Sequence, residues 1–465
     1  MARTLIAALA LFAATPAVAA EPAPLTLDDA LAMAARKNYD LALAKLQGES
    51  AGVDTYASWA NVLPRIDLSA SFGGSYLGAQ QKVNTYPVLN FNPGAPEATR
   101  YSLSFEQTTK DIPGTGIANF GLGVQLVQPI FDGLRGPRLI ERARLSEQAV
   151  ARQIDETALS LSFDVTRRFY EVVKADKSAS VLEETVKRSE EFVQRADALF
   201  NAGRLPKSDV IAARVNLGND RISLETQRAR AEQARTDLAM ALGARPQEIG
   251  ALAAPPDVDR DEIARQEPPG ADALLSRAQE KRPAFARAKV LLEQAALDKR
   301  IAAADWWPQV NGSLAYERQG PTFAGEDGVW GNPVRQFVFT GAVSVSWNAF
   351  NGRQTLAGEQ RANIAERIAL TQAAQLAVQV EGELARARTN VVLLARAVAL
   401  SAENLKIAEE GVSLAQQRLD AGAATQLEVR DAALKLTQAK LTLVNARIDA
   451  IVARADLNRA AGGAP

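Results

Sequence analysis

The chain has 465 residues, 53 of them basic and 54 acidic, for a formal net charge of −1, and it contains neither cysteine nor histidine. That balance argues against a nucleic-acid partner, and the missing residues exclude disulfides, thiolate metal sites, a lipid anchor on an N-terminal cysteine, the commonest general base and the commonest zinc ligand. Hydrophobic residues make up 47% of the chain, and much of this is alanine, which favours long, closely packed helices over a thick apolar interior.

Arg3, an apolar run from Leu5 to Ala14 and the small residues Ala17-Val18-Ala19-Ala20 before Glu21 predict a signal peptide over residues 1–20. That run is too short to span a bilayer, and no later stretch approaches about 20 apolar residues. A mature chain outside the cytoplasm with no membrane helix is therefore expected, and strands remain the open route into a membrane. From Thr26 to Asn61 the spacing is helical, with Thr26-Leu27-Asp28-Asp29 as a cap and acidic first turn, and a break at Lys37-Asn38-Tyr39. After Pro64 the period switches. Ile66, Leu68, Ala70, Phe72 and Tyr76 alternate with Asp67, Ser69, Ser71, Gly73 and Ser75, predicting a strand over about 65–77. Residues 78–116, rich in Gly, Pro and Asn, read as a polar connection with an extended piece at Tyr101–Phe105. Phe120, Leu122, Val124 and Leu126 alternate with Gly121, Gly123 and Gln125 as a second strand over about 117–129.

Residues 132–243 then read as a helical hairpin. Its first arm is about 70 residues and so roughly 100 Å long. It breaks at Asn201-Ala202-Gly203-Arg204-Leu205-Pro206, where Gly follows the helix end and Pro restarts the chain. The second arm runs from about Lys207 to Leu242. Residues 244–270, dense in proline and charge, form a linker between a first repeat (21–243) and a second (271–465).

The repeat is literal. A shift of 244 residues carries Ala34, Glu49, Asp54, Pro64 and Ser69 onto Ala278, Glu293, Asp298, Pro308 and Ser313. A shift of 219 carries Phe131, Gly133, Gly203, Leu217, Arg235 and Gly243 onto Phe350, Gly352, Gly422, Leu436, Arg454 and Gly462. The 25-residue difference falls in the strand–strand connection, which is longer in the first copy. The second copy supplies strands over about 309–318 and 335–347 and a helical hairpin over 352–462. Gly422 suits a left-handed C-terminal cap, and Thr425-Gln426-Leu427-Glu428 has the spacing of a capping box.

One chain thus offers four two-faced strands, too few to close a barrel, whereas three chains supply twelve and leave no sheet edge. The apolar faces then meet lipid, the small polar faces line a lumen, and Tyr76, Phe120, Trp306, Trp307 and Trp347 suit interfacial belts. A sheet packed inward on helices gives the same alternation and stands beside this reading.

The order helix, strand, strand, long helical hairpin, present twice around a linker, resembles the TolC-type outer-membrane efflux proteins over nearly the whole mature chain. The resemblance is carried by Ala30-Leu31 with Asn38-Tyr39, and by Leu63-Pro64 and Trp307-Pro308 entering the strands. Pro129-Ile130-Phe131-Asp132-Gly133 and Asn348-Ala349-Phe350-Asn351-Gly352 leave them. The tips complete it: Ala202-Gly203-Arg204-Leu205 with Ser208-Asp209-Val210, and Ala421-Gly422-Ala423-Ala424 with Glu428-Val429. The resemblance implies a mainly helical protein with membrane β-structure. Its form would be a homotrimer whose twelve-stranded transmembrane β-barrel continues into a periplasmic α-helical barrel. It implies an exit duct of a tripartite efflux pump or type I secretion system in the outer membrane of a Gram-negative bacterium, extending into the periplasm. A periplasmic adaptor and an inner-membrane transporter would be the partners, with no cofactor and no enzymatic activity.

Carried over by position, Gly203, Arg204, Leu205, Gly422, Ala423 and Ala424 become adaptor-docking residues, although both glycines are also explained as helix caps. Glu428 and Asp431 match the carboxylates that narrow the periplasmic mouth, and they share one helix face. The capping box accounts for Glu428 equally well. The family's tip lock, in which a tyrosine and an arginine of the second hairpin bond an aspartate of the first, is incomplete here. Asp209 and Ser208 are in place, but the tyrosine position is Leu419 and the arginine position Ala424. Closure would then fall to packing or to charges such as Arg204, Lys207 and Arg418. The competing reading is a periplasmic adaptor or structural coiled-coil protein, which also carries long hairpins but usually one rather than two.

Overall fold

The computed structural model describes residues 24–259, 267–331 and 337–463. The expected signal peptide over residues 1–20 lies outside them. Eight α-helices are described: α1 (Leu27–Lys37), α2 (Tyr39–Ser58), α3 (Arg135–Asn201), α4 (Lys207–Leu242), α5 (Ala271–Lys281), α6 (Pro283–Ala303), α7 (Gln354–Asp420) and α8 (Gln426–Ala460). Six strands accompany them: β1 (Arg65–Leu77), β2 (Gln80–Phe91), β3 (Tyr101–Ile112), β4 (Thr115–Phe131), β5 (Gln309–Gly320) and β6 (Phe337–Ser346). Among the described residues no helix is long and apolar enough to cross a membrane. The chain divides into two compact units that each draw on both sequence repeats: residues 1–53, 144–295 and 365–465, and residues 54–143 and 296–364.

The first unit is helical. Thr26 caps α1 as expected, its side chain accepting the Asp29 N–H. One core gathers Ala30 and Ala34 of α1, Val165, Phe169 and Val172 of α3, Leu238 and Ala241 of α4, and Ile448 of α8. A second gathers Leu274 and Ala278 of α5, Leu384 and Val391 of α7, and Leu457 and Ala460 of α8. The shifts that relate the sequence repeats carry Ala30, Ala34, Val165, Val172, Leu238 and Ala241 onto those six positions. The joints correspond too. Asn38 Nδ2 donates to the Ala241 carbonyl at 2.8 Å, and Arg282 Nη1 donates to the Ala460 carbonyl at 3.4 Å. Gly243 (φ +67°) and Gly462 (φ +77°) lie against the backbones of Lys37 and Arg282, where a Cβ would collide. At the second joint the contact is ionic. Arg282 pairs with Glu156 and Glu383, and Glu383 also pairs with Arg459. The Glu383 carboxyl is pushed up by burial, but the two guanidiniums outweigh this and hold it below the ordinary carboxylate range.

The linker does not hang free where it is described. The Leu25 N–H donates to the Ala251 carbonyl and the Ala253 N–H to the Leu25 carbonyl, and Val258 is buried in the first core. Its prolines open short 3₁₀ turns at Pro246–Glu248 and Pro256–Asp259.

The second unit is built on one antiparallel sheet with strand order β1-β4-β5-β6. Both long helices begin from it in the same way. Gly133 and Leu134, then Gly352 and Arg353, have φ between +65° and +70°. Asp132 Oδ2 accepts the Gly136 N–H, as Asn351 Oδ1 accepts that of Thr355. Leu134 and Arg353 hold a conformation that L-residues adopt at a cost of about 1 kcal/mol, so a turn of fixed geometry is demanded at both exits. Arg142 with Asp298 and Arg135 with Asp305 clamp the start of α3 to the end of α6 and the turn after it.

The expected polar connection over 78–116 is overturned, except for its extended piece at Tyr101–Phe105, which lies in β3. Residues 80–91 and 101–112 form a hairpin, β2-β3, in the register that β1 and β4 already keep: Leu77 faces Thr115, and Gln80 faces Ile112. Gly is confined to its turn and to the break at Gly78-Ala79 and Pro113-Gly114, while its strands, which also hold Asn84, Pro87 and Asn90, carry a polar face that hides them from an apolar count. The second expected strand is longer, 115–131, and β5 runs to Gly320; β6 occupies 337–346, with residues 335–336 of the expected span outside the described residues. Among the described residues of the β5–β6 connection, 321–331, no matching hairpin forms; Val329 is buried and Phe323 lies edge-on to Phe120.

Candidate functional site: the two helical tips

Both tips end their helices with the same hydrogen-bond pattern. The Gly203 N–H donates to the Phe200 carbonyl and the Arg204 N–H to that of Leu199. The Gly422 N–H donates to Leu419 and the Ala423 N–H to Arg418. This is the Schellman arrangement, which needs a left-handed residue, and φ is +71° at Gly203 and +72° at Gly422. A Cβ would meet open space at either glycine, so conformation alone requires them.

Beyond the caps the tips differ. At the first, Pro206 starts α4 without a side-chain cap, and Ser208 Oγ donates to Asp209 Oδ1 at 3.1 Å. Arg204 and Lys207 make no ion pair among the described residues. Leu205 turns inward against Ala196, Val210 and Ala213, so this expected docking residue also pins the turn. At the second tip the expected capping box is present. Thr425 Oγ1 accepts the Glu428 N–H at 3.4 Å and Glu428 Oε1 accepts the Thr425 N–H at 3.3 Å. Arg418 Nη2 donates to the Ala423 carbonyl at 3.1 Å while its Nη1 lies 3.3 Å from Glu428 Oε2. Arg418 therefore braces its own hairpin.

The structure brings the two tips together around a cleft of about 650 Å³. Asp209, Leu419 and Ala424, the three positions that the resemblance assigns to a tip lock, all line it, as do Arg204 and Arg430. The positions are conjoined but the second hairpin offers apolar side chains there. Glu428 and Asp431 share a separate groove along α7 and α8. Asp431 pairs with Lys435 at 2.8 Å, one helical turn on. The spacing of four residues made that pair readable from sequence.

Above the tips the hairpins are tied by polar contacts that no sequence signal announced, because the partners lie far apart in the chain. Thr185 and Thr437 hydroxyls meet at 3.0 Å, and Arg188 donates to both. Lys440 bonds Glu184 at 2.7 Å and Lys174 bonds Asp449 at 2.8 Å. The Lys440 hydrogen bond holds the Glu184 carboxyl below its ordinary range. Arg430 lines both the tip cleft and an adjoining cavity of about 170 Å³. Burial lowers its guanidinium from the usual range, against the opposing charge of Asp220.

The chain belongs to the family described as outer membrane efflux protein, whose sequence model matches residues 30–244 and 274–463. It is therefore a channel protein of the outer membrane and not an enzyme, and the adaptor reading is set aside. Solved structures agree in fold. The chain is similar to the Campylobacter jejuni CmeC outer membrane channel at 15% identity and TM-score 0.76, covering 94% of this chain and 86% of that one. It is similar to the outer membrane protein VceC from Vibrio cholerae at 17% identity and TM-score 0.72, covering 94% and 96%. It is also similar to the open state of the Neisseria gonorrhoeae MtrE outer membrane channel at 18% identity and TM-score 0.72, covering 94% and 89%. No curated protein matches the chain.

Proposed function

We propose that three copies close a twelve-stranded barrel in the outer membrane and continue it as a periplasmic helical tunnel. The assembly acts as the exit duct of a tripartite efflux pump or a type I secretion system. The observation that carries this reading is the sheet itself. Among the described residues β1 and β6 are unpaired edges, and one face is apolar and exposed: Ile66, Leu68, Phe72, Tyr76, Phe339, Val343 and Val345 all stand open in the single chain. The opposite face carries Asp67, Ser69, Ser71, Gly121, Gly123, Gln125, Ser313 and Glu317 in register. Edge and apolar face are liabilities in water, and pairing β6 of one copy with β1 of the next in a bilayer removes both.

The dimensions support the same reading. The ten steps from Ile66 to Tyr76 span about 33 Å along the strand, or about 25 Å along the membrane normal at the usual tilt, the height of an outer-membrane apolar band. Trp306, Trp307 and Trp347 stand at the helical end and Phe72, Phe120 and Tyr76 at the other, as interfacial girdles would. The second half of the chain acts as a second copy of the duct-building unit, with 244–270 as its linker.

In this duct Gly203, Arg204, Leu205, Gly422, Ala423 and Ala424 present the tip backbone to a periplasmic adaptor, which couples it to an inner-membrane transporter. Three copies of Asp431 and Glu428 ring the mouth and favour cations, moderated by Lys435 and Arg418. Asp209 of the first tip, with Ser208 and Lys207 beside it, shares its cleft with Leu419 and Ala424 of the second, so closure rests on packing. Envelope fractionation and an unheated denaturing gel test the assembly. The expected result is an outer-membrane species of three chains that falls to one on heating; a soluble single chain would overturn the reading.

A further inference from the structure

The β2-β3 hairpin reverses the polarity of the sheet that bears it. In β1 and β4 the apolar side chains occupy even positions: Ile66, Leu68, Phe72 and Tyr76 facing Leu126, Val124, Phe120 and Gly116. The break holds two residues opposite two, and the pairing offset is the same on either side. The ring of Tyr76 lies against the Cβ positions of both Gly116 and Gly114, so the even face runs unbroken past the break. Beyond it that face turns polar. Lys82 faces Lys110, Tyr86 Oη meets Thr108 Oγ1 at 2.7 Å, and Asn90 donates to Ser104 Oγ at 2.6 Å. The odd face, which below carries Ser69, Ser71, Gly121 and Gly123, turns apolar: Pro87 faces Phe105, Leu89 faces Leu103 and Phe91 faces Tyr101. The rings of Phe91 and Tyr101 sit 5.1 Å apart, and Leu89, Leu103 and Phe105 are each more than 60% exposed.

The geometry points to an apolar collar over the outer end of the duct, made by the odd faces of three β2-β3 hairpins packing on one another around the three-fold axis; this rests on the trimeric reading above. Lipid is the wrong occupant. Pro87 lies eleven residues past Tyr76, about 36 Å further along the strand, outside a band about 25 Å tall. The patch also continues the lumen side, while the paired lysines continue the side toward the membrane surface. A lone two-stranded hairpin is marginal in water, so the apolar face needs a partner. Three such faces bring on the order of 1,000 Å² of aromatic surface together, the area at which specific interfaces begin. The collar would surround the exit with an apolar rim, a constriction that disfavours a continuous water column.

The cysteine-free chain makes the test clean. Leu89→Cys and Leu103→Cys, on the odd face, are compared with Asn84→Cys, on the even face, in the full-length protein in outer membranes. Each is treated with a short bis-maleimide and, separately, with a membrane-impermeant maleimide. The expected result is that trimers form in all three, that both odd-face variants cross-link chain to chain and resist labelling, and that Asn84→Cys labels freely without cross-linking. Trimers whose odd-face cysteines label as fast as Asn84→Cys overturn the collar and leave the duct standing. Protection without cross-linking, as a lipid or foreign cover would give, also overturns it. Absence of trimers in the parent chain overturns the duct and the collar together.

Discussion

The two helical tips begin from one backbone solution and end with different chemistry. Each closes on a glycine at φ near +70° with the same pair of cap hydrogen bonds. The first then leaves Arg204 and Lys207 without an ion pair among the described residues and relies on Pro206 to restart the helix. The second spends its polar groups on itself, through Thr425 with Glu428 and Arg418 with Ala423 and Glu428. The lesson is that a duplicated turn can keep its geometry while dividing labour. The first tip keeps Arg204 and Lys207 out of ion pairs among the described residues, and the second braces its turn with its own side chains.

The largest expected effect falls on what the tips share. Gly203→Ala and Gly422→Ala should each cost about 1–2 kcal/mol locally, since a Cβ finds room but not a favourable φ. Amide exchange at the altered tip should quicken by roughly ten-fold and leave the other tip unchanged. Thr425→Ala separates the tips. It should cost about 1 kcal/mol at the start of α8, read as faster exchange there, whereas α4 has no side-chain cap to lose. Arg418→Gln should cost less, within about 1 kcal/mol for a half-exposed pair, and should raise the opening frequency of single channels in planar bilayers by loosening the braced tip.

Smaller still are the charge effects. Asp431→Asn should reduce cation preference and Lys435→Gln should increase it, as shifts of opposite sign in reversal potential. A shared sign would show that the pair does not face the ion path. The smallest effect concerns acid. Because Lys440 depresses the folded-state pKa of Glu184, the bond between hairpins contributes fully above the ordinary carboxylate range, about pH 4. It is lost as pH falls through the depressed value. Glu184→Gln should flatten that part of the stability–pH profile, followed by tip amide exchange from pH 5 downward.

Much of the fold was legible because punctuation and period agree. Pro206 and Gly243 bracket α4, which runs from Lys207 to Leu242 as read, and the Thr425 box is where its spacing put it. β1 was readable because its polar face is small and its apolar face large. β2-β3 was not, since threonine, asparagine and lysine on one face dilute an apolar face limited to its distal half. In the site, the caps were visible in sequence and Lys435 was one helical turn from the residue it pairs. Arg188, Thr437 and Arg430 acquire their roles only when α8 is laid beside the first hairpin, and no local pattern states that pairing.

The proposed trimer requires copies to join edge to edge, β6 to β1. Chains carrying Ser69→Cys on β1 with Thr340→Cys, Ala342→Cys or Ser344→Cys on β6, all on the polar face, would be oxidised in outer membranes and run on a denaturing gel. One of these pairs should yield a covalent species of three chains that reduction returns to one. Single chains throughout, from protein that has reached the outer membrane, would contradict it.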